Sequence, residues 1–402
     1  MSLSKLAAAV ALALAASGAQ AQISGGVVKI GVLNDMSGLY SDIGGPGSVT
    51  AAKMAVDDYM KSHKSSLKVE IVSADHQNKP DVGSQIARQW YDSEGVDAIV
   101  DVPTSSVALA VSEVTKQKGK AFLDTGAATS DLTGKACSPN TVHWLYDTWN
   151  LAHGTGSAIV KTGGKTWFFI TADYAFGHAL ERDTAEVVKA NGGKVLGAVR
   201  HPLATQDFSS FLLQAQASKA QVIGLANAGG DTINSIKQAA EFGIVKGGQS
   251  LAGLLVFLSD VHGLGLEKAQ GLIFTETWYW DLNDASRAWA KRFASANGGK
   301  YPTMDHAGVY AVVLHYLKAV EAAKTDDGTK AVAEMKKLPT DDPLFGKGKI
   351  RQDGRKIHPA YLFEVKKPSE SKGPYDYYKL RATIPADQAF RPEKEGGCPL
   401  VK

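Results

Sequence analysis

Two hydroxyl-rich clusters each follow a short apolar run. Pro103-Thr104-Ser105-Ser106 comes after residues 98–102, and Gly126-Ala127-Ala128-Thr129-Ser130 closes the next run, which starts at residue 121. Hydroxyls beside the free N–H groups of a helix start form a neutral trap for a carboxylate. The same residues would also serve as plain N-caps, so their recurrence at two neighbouring run ends is what points to one site. Three further clusters follow the apolar runs of the second half. In Asp173-Tyr174-Ala175-Phe176-Gly177, Tyr174 either closes over a solute or staples the helix start. Asn227, Gly229 and Asp231 follow residues 221–227. Asp260, in Leu258-Ser259-Asp260, offers a carboxylate to a desolvated ammonium, with a solvated loop aspartate as the alternative. Trp278, Tyr279 and Trp280 would line an aromatic pocket or pack a lobe junction.

Catalytic and cofactor patterns do not form. Gly164-Lys165-Thr166 has the tail of a phosphate loop, but Ile159 stands where its first glycine belongs. Gly44-Gly45-Pro46-Gly47 lacks the G-x-G-x-x-G spacing and lies about ten residues past its strand. There is no G-x-S-x-G elbow or H-E-x-x-H motif. The 10 histidines are dispersed, so no metal site is expected. No cofactor or enzymatic activity is expected either. With 44 basic against 41 acidic residues, no basic surface for nucleic acid is implied.

The elements that position these loops alternate regularly. Apolar runs at residues 28–33, 69–75, 98–102 and 121–126 are separated by amphipathic helical stretches. A second series of runs covers 166–172, 194–201, 221–227 and 253–259. Such alternation implies parallel sheets flanked by helices, and 402 residues exceed what one core organises. Two α/β lobes are expected, with loops at the carboxyl ends of their strands facing a cleft. At the start, Lys5, an apolar stretch and Ala19-Gln20-Ala21 read as an export leader cleaved after Ala21. The stretch is too short to span a bilayer, so a soluble periplasmic chain that is not membrane-embedded is expected. Export places the only two cysteines, Cys137 and Cys398, in an oxidising compartment, where a disulfide between them is the simplest outcome.

The order of these segments resembles the leucine/isoleucine/valine-binding family of type I periplasmic solute-binding proteins. The resemblance opens at Asp35-Met36-Ser37-Gly38 and continues through the two hydroxyl clusters and the D-Y-x-x-G segment at Asp173. Its most specific stretch starts at Asp207-Phe208, and it extends from about residue 27 to 365. It implies two Rossmann-like lobes joined by a three-strand hinge, with residues 1–21 as signal peptide. The first lobe would comprise 22–145 and 277–341, the second 146–276 and 342–402 with a surface tail. Crossings would lie near 144–148, 274–277 and 340–345. By resemblance, Thr104, Ser105, Ala127, Ala128 and Thr129 would hold the solute from the first lobe. Tyr174, Asn227, Gly229 and Asp260 would meet it from the second. The implied role is the binding component of an ABC importer for a branched-chain or related amino acid, acting as a monomer that delivers to an inner-membrane permease. An aromatic carboxylic acid is the alternative solute, because Ile43 replaces an aromatic of the family and the usual Glu-Gly pair is missing at Asp260. A ligand-sensing receptor module is a further alternative.

Overall fold

The computed structural model describes residues 23–402; the expected leader and its cleavage point lie outside the described residues. Strands β1 (Val28–Asn34), β2 (Val69–Asp75), β3 (Ala98–Asp101), β4 (Ala121–Asp124) and β5 (Thr141–His143) form one sheet. It is parallel, in the order β2-β1-β3-β4-β5. A second parallel sheet has the order β7-β6-β8-β9, built from β6 (Thr166–Ala172), β7 (Lys194–His201), β8 (Val222–Ala226) and β9 (Ser250–Gly253). The strands β3, β4 and β8 are wholly buried, as expected for strands covered by helices on both faces. Helix α1 (Gly45–His63) packs on the long helix α2 (Met304–Ala323), which carries the chain back to the first sheet. Among the described residues no helix is long and apolar enough to cross a membrane.

Several expected boundaries differ. The run at 253–259 was expected as a strand, yet pairing stops at Gly253 and a helix starts at Leu258. Residues 254–257 are buried by packing rather than by strand pairing, and an apolar run does not distinguish the two. The strands Thr340–Asp342, Gly346–Ile350 and Lys356–Ile357 form a small sheet of their own. They lie against α2 and the following helix Gly328–Lys337, on the first lobe. The chain therefore changes lobes at residues 357–360 rather than at 340–345. Ala360–Val365 pairs on one side with Ile273–Glu276 and on the other with Tyr378–Ile384. The expected surface tail thus contributes an edge strand to the second lobe. Cys137 and Cys398 are joined by a disulfide across 261 residues.

Candidate functional site

The carboxyl ends of both sheets meet at a narrow cavity of about 10 Å³, room for roughly one water molecule, so the cleft is all but shut. From the first lobe it is lined by Tyr40, Ile43, Pro103, Gly126 and Ala128, and from the first crossing by Tyr146. Tyr174, Phe176, Ala228, Leu255 and Phe257 complete it from the second. Five of these residues are aromatic and none is charged. An apolar and aromatic lining with few polar groups is the usual make-up of a small-molecule site, which here would need the lobes to part before a solute could enter.

Backbone geometry at the cavity wall is unusual. Asp101 and Val102, at the end of β3, have φ of 81° and 67° in succession. Left-handed values are costly for a β-branched residue such as Val102, by about 1–3 kcal/mol, and persist only where the surroundings enforce them. Here Val102 N donates to Leu33 O at 3.1 Å, while Asn34 Nδ2 and Thr125 Oγ1 donate to the Asp101 carboxyl. The kink presents Pro103 to the cavity. The helix Ser105–Lys118 starts just after it, and its N-cap residue Thr104 makes no side-chain capping bond among the described residues. Its first N–H groups therefore lack both intrahelical and side-chain acceptors, at the edge of an apolar pocket.

The lobes touch across the cleft. The hydroxyls of Tyr40 and Tyr174 are 2.7 Å apart, and burial raises the pKa of both phenols, keeping them neutral. Gly229 has φ of +57°, and a Cβ there would lie 2.9 Å from the Leu39 carbonyl oxygen of the opposite lobe. Tyr146 donates its hydroxyl to Gly126 O at 2.8 Å, fixing the ring against the first-lobe loop. Tyr174→Phe should weaken solute binding by about 0.5–1.5 kcal/mol, the net value of one hydrogen bond. Calorimetry comparing it with the native chain checks this, and an unchanged affinity would mean the contact does not hold the cleft shut.

Of the residues anticipated from sequence, Ala128 and Tyr174 line the cavity. The others are not part of its lining; Gly229 abuts the opposite lobe, and the rest are occupied locally. Thr104 donates to Asn78 Oδ1, Ser105 Oγ accepts from Thr129 N at 3.2 Å, and Ala127 N donates to Asp124 Oδ1 at 3.2 Å. Thr129 Oγ1 accepts from Asp131 N, capping the turn that follows. Asn227 pairs with Thr232 and His201. Asp231 accepts from Ala204 N at 3.2 Å, and burial pushes its carboxyl up to about 7. The Asp260 carboxylate folds back on Phe257 N at 2.9 Å, and burial raises its pKa to about 7 as well. Trp278 donates to Ser286 Oγ and meets Trp289 edge-on, while Tyr279 and Trp280 both donate to Tyr375 O. These three rings pack the junction and do not line the cavity. Sequence reading missed Tyr40, Tyr146 and Phe257, isolated aromatics outside any motif, and in the Asp173–Gly177 cluster it assigned a role to Tyr174 but none to Phe176.

A sequence profile for a periplasmic binding protein family matches residues 27–373. A solved periplasmic binding protein from Burkholderia mallei is 55% identical with a TM-score of 0.91, covering 94% of this chain and 100% of that chain. A branched chain amino acid ABC transporter periplasmic ligand-binding protein from Burkholderia xenovorans LB400 is 40% identical with a TM-score of 0.82, covering 93% of this chain and 100% of that chain. A Leu/Ile/Val-binding protein homolog from Brucella melitensis is 28% identical over 372 residues, 89% of this chain and 91% of its own length.

Proposed function

The chain belongs to the periplasmic binding protein family, and on that premise we propose that it is the exported binding component of an ABC importer for a small aromatic carboxylic acid. The observation that carries the choice of solute is the cavity lining, five aromatic residues with no charged side chain among the described residues. Closing the cleft strips water from whatever it holds. An ammonium left there unpaired would cost several kcal/mol, so an amino acid needs an acidic partner in the wall. Asp260 is the nearest counterpart suggested by sequence, and its carboxylate is committed to its own helix start. A ring carboxylate makes no such demand. Its anionic end suits the uncapped helix start beside Pro103, where backbone N–H groups and the helix dipole favour negative charge. Its ring would meet these aromatic faces once the lobes part to admit it and close again around it.

Isothermal calorimetry with 4-hydroxybenzoate and with leucine tests the choice. 4-Hydroxybenzoate should bind at least tenfold more tightly, a difference of about 1.4 kcal/mol or more. The reverse order would overturn the aromatic reading and favour a branched-chain amino acid. That second reading is supported by the name of the 40% identical relative from Burkholderia xenovorans. The Asp260→Asn variant gives an independent check. Affinity for 4-hydroxybenzoate should be unchanged, because the asparagine side-chain oxygen can still accept from Phe257 N. A large loss of leucine affinity in this variant, with 4-hydroxybenzoate unaffected, would place the leucine ammonium beside Asp260 and favour the amino-acid reading.

A further inference from the structure

The last residues of the chain do not end on the lobe from which they come. Strand Tyr378–Ile384 belongs to the second lobe through its pairing with Ala360–Val365. The chain then runs along the hinge. Ala389 O accepts from Asn150 Nδ2 at 2.7 Å, just past the first crossing. The buried ring of Phe390 lies 4.8 Å from the Arg355 guanidinium and 5.0 Å from the His358 ring, at the third crossing. The next anchors are on the first lobe. Arg391 donates through Nη2 to Ser130 O at 3.0 Å and accepts at its carbonyl from Arg351 Nη1 at 2.7 Å. Glu393 accepts from Gln352 N at 2.8 Å, and Cys398 is bonded to Cys137.

Ser130 gives this path its bearing on the cleft. It stands two residues past Ala128, which lines the cavity. Its N–H donates to Thr148 Oγ1 at 3.1 Å, at the first crossing. Its hydroxyl donates to Asp183 Oδ2 at 2.8 Å and accepts from Arg182 Nη2 at 2.9 Å, both on a helix of the second lobe. Cavity loop, hinge, second lobe and tail therefore meet at one residue.

We propose that residues 385–398 are a fourth passage between the lobes, closed covalently by Cys137–Cys398, which holds Ser130 and the hinge in the closed arrangement and slows solute release. Chain length alone does not limit opening, since the 14 residues from Pro385 to Cys398 could extend to roughly 45 Å. The disulfide acts by keeping the Phe390 and Arg391 contacts at high effective concentration, so that they re-form whenever opening breaks them. Reduction by a dithiol transfers two electrons and two protons to the bond, leaving two cysteine thiols and a cyclic disulfide on the reagent. The tail is then free to undock. The consequence for release rests on the binding role proposed above, but the restraint on the hinge does not.

The test uses the full mature chain, its Cys137→Ser/Cys398→Ser double variant and an Arg391→Ala variant that keeps the disulfide. Hydrogen exchange without solute should be roughly fivefold faster or more in both variants at residues 145–148 and 357–360, with both parallel sheets protected as in the native chain. Small-angle scattering should show a larger radius of gyration for the solute-free double variant. Dissociation of 4-hydroxybenzoate should be faster in both. Unchanged hinge exchange in both variants overturns the proposal. So does a loss of protection spread evenly over the two sheets, which would make the bond a general stabiliser. If 4-hydroxybenzoate does not bind at all, the solute assignment fails while the exchange result still decides the restraint.

Discussion

Gly229→Ala is expected to weaken solute binding by about 3 kcal/mol, on the order of a hundredfold, while leaving the solute-free protein folded. Two costs combine and can be separated. Gly229 sits at φ +57°, which an alanine adopts only with strain, and that strain is present whether the cleft is open or shut. The second cost arises only on closure. The new methyl would stand 2.9 Å from Leu39 O and 3.0 Å from Tyr40 Cδ1, both on the opposite lobe. Backbone oxygen does not yield as a flexible side chain would, so the lobes must stop short of contact. The Tyr40–Tyr174 hydroxyl pair, at 2.7 Å in the closed form, would then be lost as well. Calorimetry with 4-hydroxybenzoate measures the sum, and thermal unfolding without solute measures the strain alone. Equal losses in both would mean that the cross-cleft contact contributes nothing to binding.

The same contact shows why the site was only partly legible in the sequence. Alternating apolar runs and helical stretches were enough to indicate two parallel sheets, because burial on both faces demands such runs. Loops at the strand ends followed from that, and Ala128 and Tyr174 with them. The hydroxyl residues Thr104 and Thr129 drew attention through their chemistry, yet each satisfies a local bond, one to Asn78 and one to Asp131 N. The apolar wall has no local signature. Leu255 and Phe257 lie in a run that reads as a strand, and only the pairing pattern shows that the strand has ended at Gly253. Tyr40 depends on a contact with a residue 134 positions away, which no spacing rule reaches. The edge strand Tyr378–Ile384 is mostly exposed and carries charges, so its pairing is equally silent in composition.

Asp305→Asn should stabilise the protein at pH 8 and leave it almost unchanged near pH 4. The carboxyls of Asp101, at the end of β3, and Asp305, in the first turn of α2, are both fully buried. One oxygen of each lies within 3 Å of where a Gly44 Cβ would stand. Asp101 has donors in Asn34 and Thr125, whereas neither oxygen of Asp305 has a hydrogen-bond partner among the described residues. Burial raises both, Asp101 to about 6 and Asp305 further, with the Asp101 charge adding to the Asp305 shift. Because the folded pKa lies above the unfolded one, the folded chain binds the extra proton. The favourable contribution is then complete below about pH 4 and is lost as pH rises through the folded value. The cost of ionising Asp305 in the fold therefore grows as pH rises toward its raised folded pKa, and the variant escapes it. Asparagine does not ionise, and its amide N–H offers the neighbouring Asp101 carboxyl a donor that does not titrate. Asp231 and Asp260, each raised to about 7 by burial, impose the same trend but remain in the variant. The difference between the two stability curves therefore isolates one proton. Urea unfolding at pH 5, 6, 7 and 8 measures both curves. If the variant is destabilised equally at every pH, Asp305 is not the group whose protonation folding requires.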